Sequence, residues 1–271
     1  NLTKQSLVEK HIISPEFASS KDENCAILIN DEENICIMIN EEDHLRMQLF
    51  GEGIAIEELM NLAIEIDQKL ERLVDYAFSE KYGYLTACPT NVGTGLRVSV
   101  MVHLPGLAET GNLNKILHIV NNFGMSVRGV YGEGSQSMGN MYQISNNQTL
   151  GLTEQEIVKN MKLITDKIIE QERVARKYLG KNQIGLADKV YRAFGILENA
   201  RILSSNECID LLSDVKLGTD MGIISELDDT KIKKLFLYTK PANLQKYYGK
   251  VMDSNERDLK RTDIIRKIVT E

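Results

Sequence analysis

The chain's 271 residues, 42% of them hydrophobic, suffice for one large or two smaller domains with a real core and exclude a disordered polypeptide. No run of about eighteen apolar residues occurs, and the opening "NLTKQSLVEK" lacks the basic and apolar regions of a signal peptide, so a soluble cytoplasmic chain with no membrane partner is expected. The net charge of −7 divides unevenly: residues 1–180 hold 16 basic and 25 acidic side chains, residues 181–271 hold 16 and 14, so nucleic acid is not the expected partner and any anion site in the first part must gather positive charge locally.

From residue 25 the pattern mixes strands and helices. "CAILIN", the turn-like "DEEN" and "ICIMIN" predict a hairpin, and "HLRMQLF" a third strand. Residues 55–78 read as a helix whose apolar side chains, from Leu59 and Leu62 to Val74 and Ala77, step by three and four. "LRVSVMVHLP" (96–105) is a predicted strand, "LNKILHIVNNFG" a helix closed by Gly124, and "SVRGVYG" and "NMYQISN" are strands flanking a glycine-rich segment. Strands outnumber crossover helices, so the predicted class is α+β, a mostly antiparallel sheet covered by helices. A capping-box pair, Thr153 and Glu156, opens a region expected to be helical to the end, through residues 153–178, 205–216, 228–248 and 255–270. The expected domains are 1–180 and 181–271, divided near "YLGKNQIG".

Four cysteines and four histidines show neither CxxC pairing nor zinc-ligand spacing, so a reducing compartment and no structural metal are expected. P-loop, dinucleotide-fold, protein-kinase and nucleophile-elbow motifs are missing from the sequence. Four polar clusters remain. Glu41, Glu42, Asp43, His44 and Arg46 leave the apolar run "ICIMI" together, either as a solvated strand end or as a polar site on a rigid edge. In "TACPTNVGTGLR", two glycines free the backbone to approach a ligand beside Arg97, and Cys88 is either a small hydrophobe or a reactive thiol. "RGVYGEGSQSMGN" (128–140) suits a mobile lid with Arg128 at its base, or a long hairpin loop. In "ERDLKRTDIIRK", Arg257 and Arg261 stand four apart on one helix face, able to grip a phosphate or simply to lie in solvent.

"NEEDHLR", "CPTNVGTGLR", "RGVYGE" and "ISNNQTLG", in this order over residues 7 to about 178, resemble the ATP:guanido phosphotransferases, the family of creatine, arginine and bacterial protein-arginine kinases. The resemblance implies ATP and Mg²⁺ as cofactors. It implies ATP contacts from His11, Arg46, Arg97, the strand Val98, Ser99, Val100 and Met101, and the loop Arg128, Gly129, Val130, Tyr131, Gly132 and Glu133. Glu42 and Glu133 match carboxylates that hold the substrate guanidinium, and Cys88 matches the cysteine beside it. Gln143 stands where creatine kinases carry Asp, which weakens the expected purine-side contact.

Two features resemble the protein-arginine kinase branch: its versions of the cysteine and lid motifs, and a tail with "RDLKRT" in place of R-D-x-x-R-A. The resemblance implies that Arg257, Asp258 and Arg261 read phosphoarginine allosterically, with Thr262 adding bulk at the pocket edge. It further implies protein substrates with exposed arginines, a homodimer, and as partners a heat-shock transcriptional repressor, an activator adaptor and a Clp-type unfoldase or protease. A free-arginine phosphagen kinase and a non-catalytic phosphoarginine reader are the alternatives. The family's S-x-R-x-R segment does not occur, so the sequence is expected to be the C-terminal portion of a longer kinase.

Overall fold

The computed structural model describes residues 2–129 and 138–270. Among these, three small antiparallel sheets take the place of the single expected sheet. The predicted hairpin and third strand form β1 (Ala26–Ile29), β2 (Ile35–Ile39) and β3 (Leu45–Leu49), with Ile27 opposite Met38 and Met38 opposite Arg46. Alternation buries Cys36 and Met38 on one face, where they meet Ile12, Ile13 and Phe17 from the segment that follows α1 (Leu2–Glu9) and from α2 (Pro15–Ser19).

The helix expected over 55–78 is α3 (Ile56–Glu71), eight residues shorter. Leu73 and Val74 keep the helical step but are 80% and 45% exposed, so no burial stabilises another turn, and Phe78 instead pairs with Tyr84 where β4 (Phe78–Ser79) meets β5 (Gly83–Tyr84). The third sheet has the order β6 (Ser99–His103), β8 (Met141–Asn146), β7 (Met125–Gly129). Its inner face, Val100, Val102, Val127, Tyr142 and Ile144, packs on α4 (Pro105–Glu109), α5 (Leu113–Asn122) and α6 (Glu154–Leu179), which contributes Val158, Met161, Ile164 and Ile168. The capping box at Thr153 and Glu156 forms as expected. Ser99, Met101, Gln143 and Arg128 lie on the opposite, open face, with Met101 and Arg128 both aligned on Gln143.

The rest is helical: α7 (Gln183–Asn199), α8 (Ser205–Asp220), α9 (Asp229–Tyr238), α10 (Pro241–Tyr248) and α11 (Ser254–Thr270). Sequence reading did not delimit α7, and it ran α9 and α10 together over 228–248. Pro241 separates them, since its ring and missing N–H suit a first helical turn and not an interior. A core of Val190, Leu197, Leu203, Leu212, Leu235, Leu244 and Ile265 unites these helices. Gly218 lets α8 approach α7, because a Cβ there would lie 2.2 Å from Val190. Among the described residues no helix is long and apolar enough to cross a membrane.

Candidate active site

The polar cluster leaving β2 is a built turn. Asn40 takes a left-handed φ of 56°, its N–H donates to His44 O at 3.0 Å, and the chain re-enters the sheet at β3. Glu41, whose side chain is only 5% exposed, organises the turn: it accepts hydrogen bonds from Ser14 Oγ, from the Glu42 N–H at 3.0 Å and from Arg46 Nη1 at 3.1 Å. Burial raises the Glu41 carboxyl, but those hydrogen bonds and the Arg46 charge outweigh it and hold the group below its usual range. A depressed carboxyl contributes stability that is present above its unfolded value and lost as pH falls through the folded one. The turn should therefore loosen only in acid, below the ordinary carboxylate range, as an NMR titration following the Glu42 amide would show. Glu42 itself is exposed, and among the described residues its carboxylate has no hydrogen-bond or ion-pair partner.

Asp43 ties this turn to the cysteine loop, its Oδ1 accepting from Ala87 N–H at 2.6 Å. That loop is fixed from below. Thr149 Oγ1 lies 2.8 Å from both Thr90 O and Val92 O, and Gly93, with φ 114°, passes so close that a Cβ would sit 2.3 Å from Thr149 O. Cys88 precedes a short 3₁₀ turn, Pro89–Asn91, and its Sγ lies 3.0 Å from Thr90 Oγ1. Glu42 and Cys88 thus occupy two loops joined by one latch. Asp43→Ala should free the loops to separate and lower kcat about 100-fold, the scale of a 1 Å misplacement, with KM for ATP nearly unchanged; initial-rate kinetics measure both.

Arg97 is clamped on either side by buried Asn146, which accepts from Val98 N–H at 2.7 Å and donates to Leu96 O at 3.1 Å. Partial loss of hydration, then the charges of Arg128 and Arg46, push the Arg97 guanidinium below its ordinary value, with Cys88 acting in the opposite sense. Three arginines and the cysteine thus share one electrostatic neighbourhood at the open ends of two sheets. Arg46 has Glu41 as counter-ion. Repulsion among the three cations is a cost that a bound polyanion would relieve.

His11 lies at the end of α1 with a left-handed φ of 61°. Gln48 Nε2 donates to Ile12 O at 3.0 Å and Ser14 donates to Glu41, so the 11–14 segment runs along the sheet that carries Arg46. Loss of hydration first and the Lys240 ammonium second lower the His11 imidazole to about 4. Val98, Ser99, Val100 and Met101 lead from Arg97 into β6. Val130, Tyr131, Gly132 and Glu133 lie outside the described residues.

Arg257, Asp258 and Arg261 are placed on α11, within the helical region. Arg261 is 1% exposed and points inward: Nε donates to Thr239 O at 2.8 Å, and Nη1 donates to Leu203 O and Asp258 Oδ1, each at 2.6 Å. Arg257 donates to Met252 O at 2.8 Å. Sequence reasoning singled out none of the supports Ser14, Asn146 and Thr149, and treated Glu41 and Asp43 only as members of a charged run. The signal for Asn146 and Thr149 was their place in "ISNNQTLG", which runs from the end of a predicted strand into the turn after it.

Antiparallel sheets backed by helices carry the arginines, Cys88 and a Glu42 carboxylate that has no partner among the described residues, and the chain belongs to the ATP:guanido phosphotransferase family, enzymes that transfer phosphoryl groups to guanidino groups. The family's C-terminal catalytic domain matches residues 1–175. Among solved structures, a duplicated taurocyamine kinase from Schistosoma mansoni with transition-state analogue components aligns with TM-score 0.56 and 25% identity, over 86% of this chain and 31% of that one. A lombricine kinase aligns with TM-score 0.50 and 30% identity, over 63% of this chain and 50% of that one.

The branch is that of the protein-arginine kinases, since residues 183–271 match the protein-arginine kinase McsB C-terminal domain. The protein-arginine kinase of Halothermothrix orenii is 53% identical over 96% of this chain and 74% of its own length. That of Bacillus subtilis is 47% identical over 98% and 73%. The chain therefore spans about three quarters of the curated relatives, and 31% and 50% of the two solved kinases.

Proposed function

We propose that this chain carries the centre that transfers the γ-phosphoryl group of MgATP to arginine side chains of proteins. The observation that carries the reading is the Asp43–Ala87 latch, which joins the loop of Cys88 to the loop of Glu42, whose carboxylate has no partner among the described residues, with Arg97 held by Asn146 and Arg128 on the same sheet, near enough for their charges to act on one another. When bound, MgATP supplies the phosphoryl group and a divalent charge, the metal being held chiefly by phosphate oxygens and water. The donor set fits that group: guanidinium forks suit phosphate oxygens, and their mutual repulsion favours an anion among them.

A guanidinium is a poor nucleophile because it is protonated at neutral pH and its nitrogens are delocalised. Glu42 accepts two of its N–H bonds and fixes its plane, which aligns one nitrogen with the γ-phosphorus; the carboxylate takes up that nitrogen's proton as the N–P bond forms and the bond from the γ-phosphorus to the β–γ bridging oxygen breaks, releasing ADP. Orientation of this kind can supply about 7–11 kcal/mol when the reacting atoms approach attack distance. Cys88 borders the guanidinium, Arg46, Arg97 and Arg128 offset charge on the transferring group, and His11 with residues 98–101 faces the nucleotide. Glu133 is proposed as the second carboxylate.

The same proposal takes 1–180 as the catalytic domain and 181–271 as a regulatory one, in which Arg257, Asp258 and Arg261 recognise phosphoarginine. It includes a cytoplasmic location, a homodimer, and the repressor, adaptor and unfoldase partners implied by the family resemblance. Incubation with MgATP and an arginine-rich unfolded protein, beside a parallel reaction with free L-arginine, tests it. Acid-labile phosphoarginine on the protein alone is expected, detected by mass spectrometry under neutral conditions; phosphorylation of free arginine alone would assign the chain to phosphagen chemistry.

A further inference from the structure

Helix α10 has no cap of its own, because Lys240 occupies the capping position without a side-chain hydrogen bond to the helix. Glu9, 233 residues earlier than Ala242, provides one: its carboxylate accepts from Ala242 N–H at 2.7 Å, Asn243 N–H at 2.8 Å and Asn243 Nδ2 at 2.9 Å. The exchange is reciprocal, since Lys240 Nζ donates to Glu9 O, in the last turn of α1, at 2.6 Å. Ser6 Oγ adds a bond to Asn243 Oδ1 at 2.7 Å, and Ser6 and Asn243 are both buried. Two helix ends, one leading to the nucleotide side of the site and one in the helical region, thus satisfy each other's unpaired backbone groups.

Two residues after Glu9, His11 holds a left-handed conformation at a helix C-terminus where glycine is the usual occupant. Such a conformation persists in a side-chain-bearing residue only where its surroundings over-determine it. On one side Gln48 and Ser14 fasten the following segment to β3 and Glu41; on the other, the Glu9 clamp fastens the preceding helix to α10. The far side of the clamp is also fixed, as buried Arg261 donates to Thr239 O next to Lys240.

We propose that Glu9 is a positioning residue for nucleotide binding: by capping α10 it holds the His11 turn in register with the arginine cluster, so the nucleotide side of the site is complete only when the helical region is docked. The inference rests on the reading that His11 faces the nucleotide. Glu9→Ala removes all three acceptor contacts, whereas Glu9→Gln keeps one acceptor oxygen. In the full-length kinase carrying this chain, Glu9→Ala should raise KM for ATP about tenfold while kcat changes less than about threefold, with Glu9→Gln between it and the unaltered enzyme.

Val190→Ala, a truncation at the contact of α7 with Gly218 of α8 that removes none of the clamp's hydrogen bonds, should leave KM for ATP unchanged at a comparable drop in melting temperature. An unchanged KM in Glu9→Ala would overturn the proposal, as would an equal rise in Val190→Ala, which would reduce the clamp to general stability. If Glu9→Ala does not fold, Glu9→Gln decides on the same readout. Absence of ATP-dependent arginine phosphorylation in the unaltered enzyme would overturn the functional reading, and the Glu9 assignment with it.

Discussion

Glu42→Ala should abolish arginine phosphorylation, lowering kcat by about 10³–10⁴-fold, the scale of losing a positioned general base together with its orienting bonds. The fold should barely notice. Glu42 is exposed, and the turn that presents it is held by Glu41, Asp43 and Asn40, whose contacts with Ser14, Arg46, Ala87 and His44 do not use the Glu42 side chain. Affinity for MgADP should also survive, because among the described residues no hydrogen bond or ion pair links the Glu42 carboxylate to Arg46, Arg97 or Arg128. Phosphoarginine yield, calorimetric nucleotide binding and a melting curve, measured on one preparation, separate the three effects. Retained turnover would remove Glu42 from the chemistry, whereas a collapsed melting temperature would mean that it braces the turn.

Arg261→Ala should destabilise the helical region by about 3–5 kcal/mol, the cost of breaking a buried, hydrogen-bonded ion pair from one side. The truncation strands Thr239 O and Leu203 O and leaves Asp258 without its cation. Those carbonyls tie α11 to the end of α9 and to the segment before α8, so the loss should appear as earlier unfolding in denaturant, followed by helix circular dichroism. Arg257→Ala should cost less than about 1 kcal/mol, since that side chain is only half-buried and donates to a single carbonyl. Any test of phosphoarginine recognition is therefore cleaner at Arg257, where loss of a signal is not confounded with loss of structure. Equal stability of the two variants would show that Arg261 is no brace.

Much of this was legible in the sequence, for identifiable reasons. The β1–β2–β3 meander followed from short apolar runs on either side of the turn-like "DEEN", and the start of α6 from the Thr153–Glu156 box, both local signals. The end of α3 was not legible, because Leu73, Val74 and Ala77 continue the helical step and only tertiary context reveals that nothing covers them. The break between α9 and α10 was written in Pro241 and was passed over.

Candidate site residues were found because several motifs fell together in order, and the supports were missed because their bonds span the chain. Asn146 holds the backbone around Arg97 from 48 residues away, and Asp43 reaches Ala87 across 44. Spacing placed Arg257 and Arg261 on one face of α11 but could not say which of them turns inward.

Crowding like charges around Arg97 also bears on how this protein should be handled. Sulfate or phosphate in a buffer will settle among those guanidinium groups as readily as a nucleotide's tail, masking weak binding and raising the melting point. Dissociation constants taken in chloride at low ionic strength and in phosphate-buffered saline should then disagree, and the disagreement itself counts how many cations the ligand must recruit.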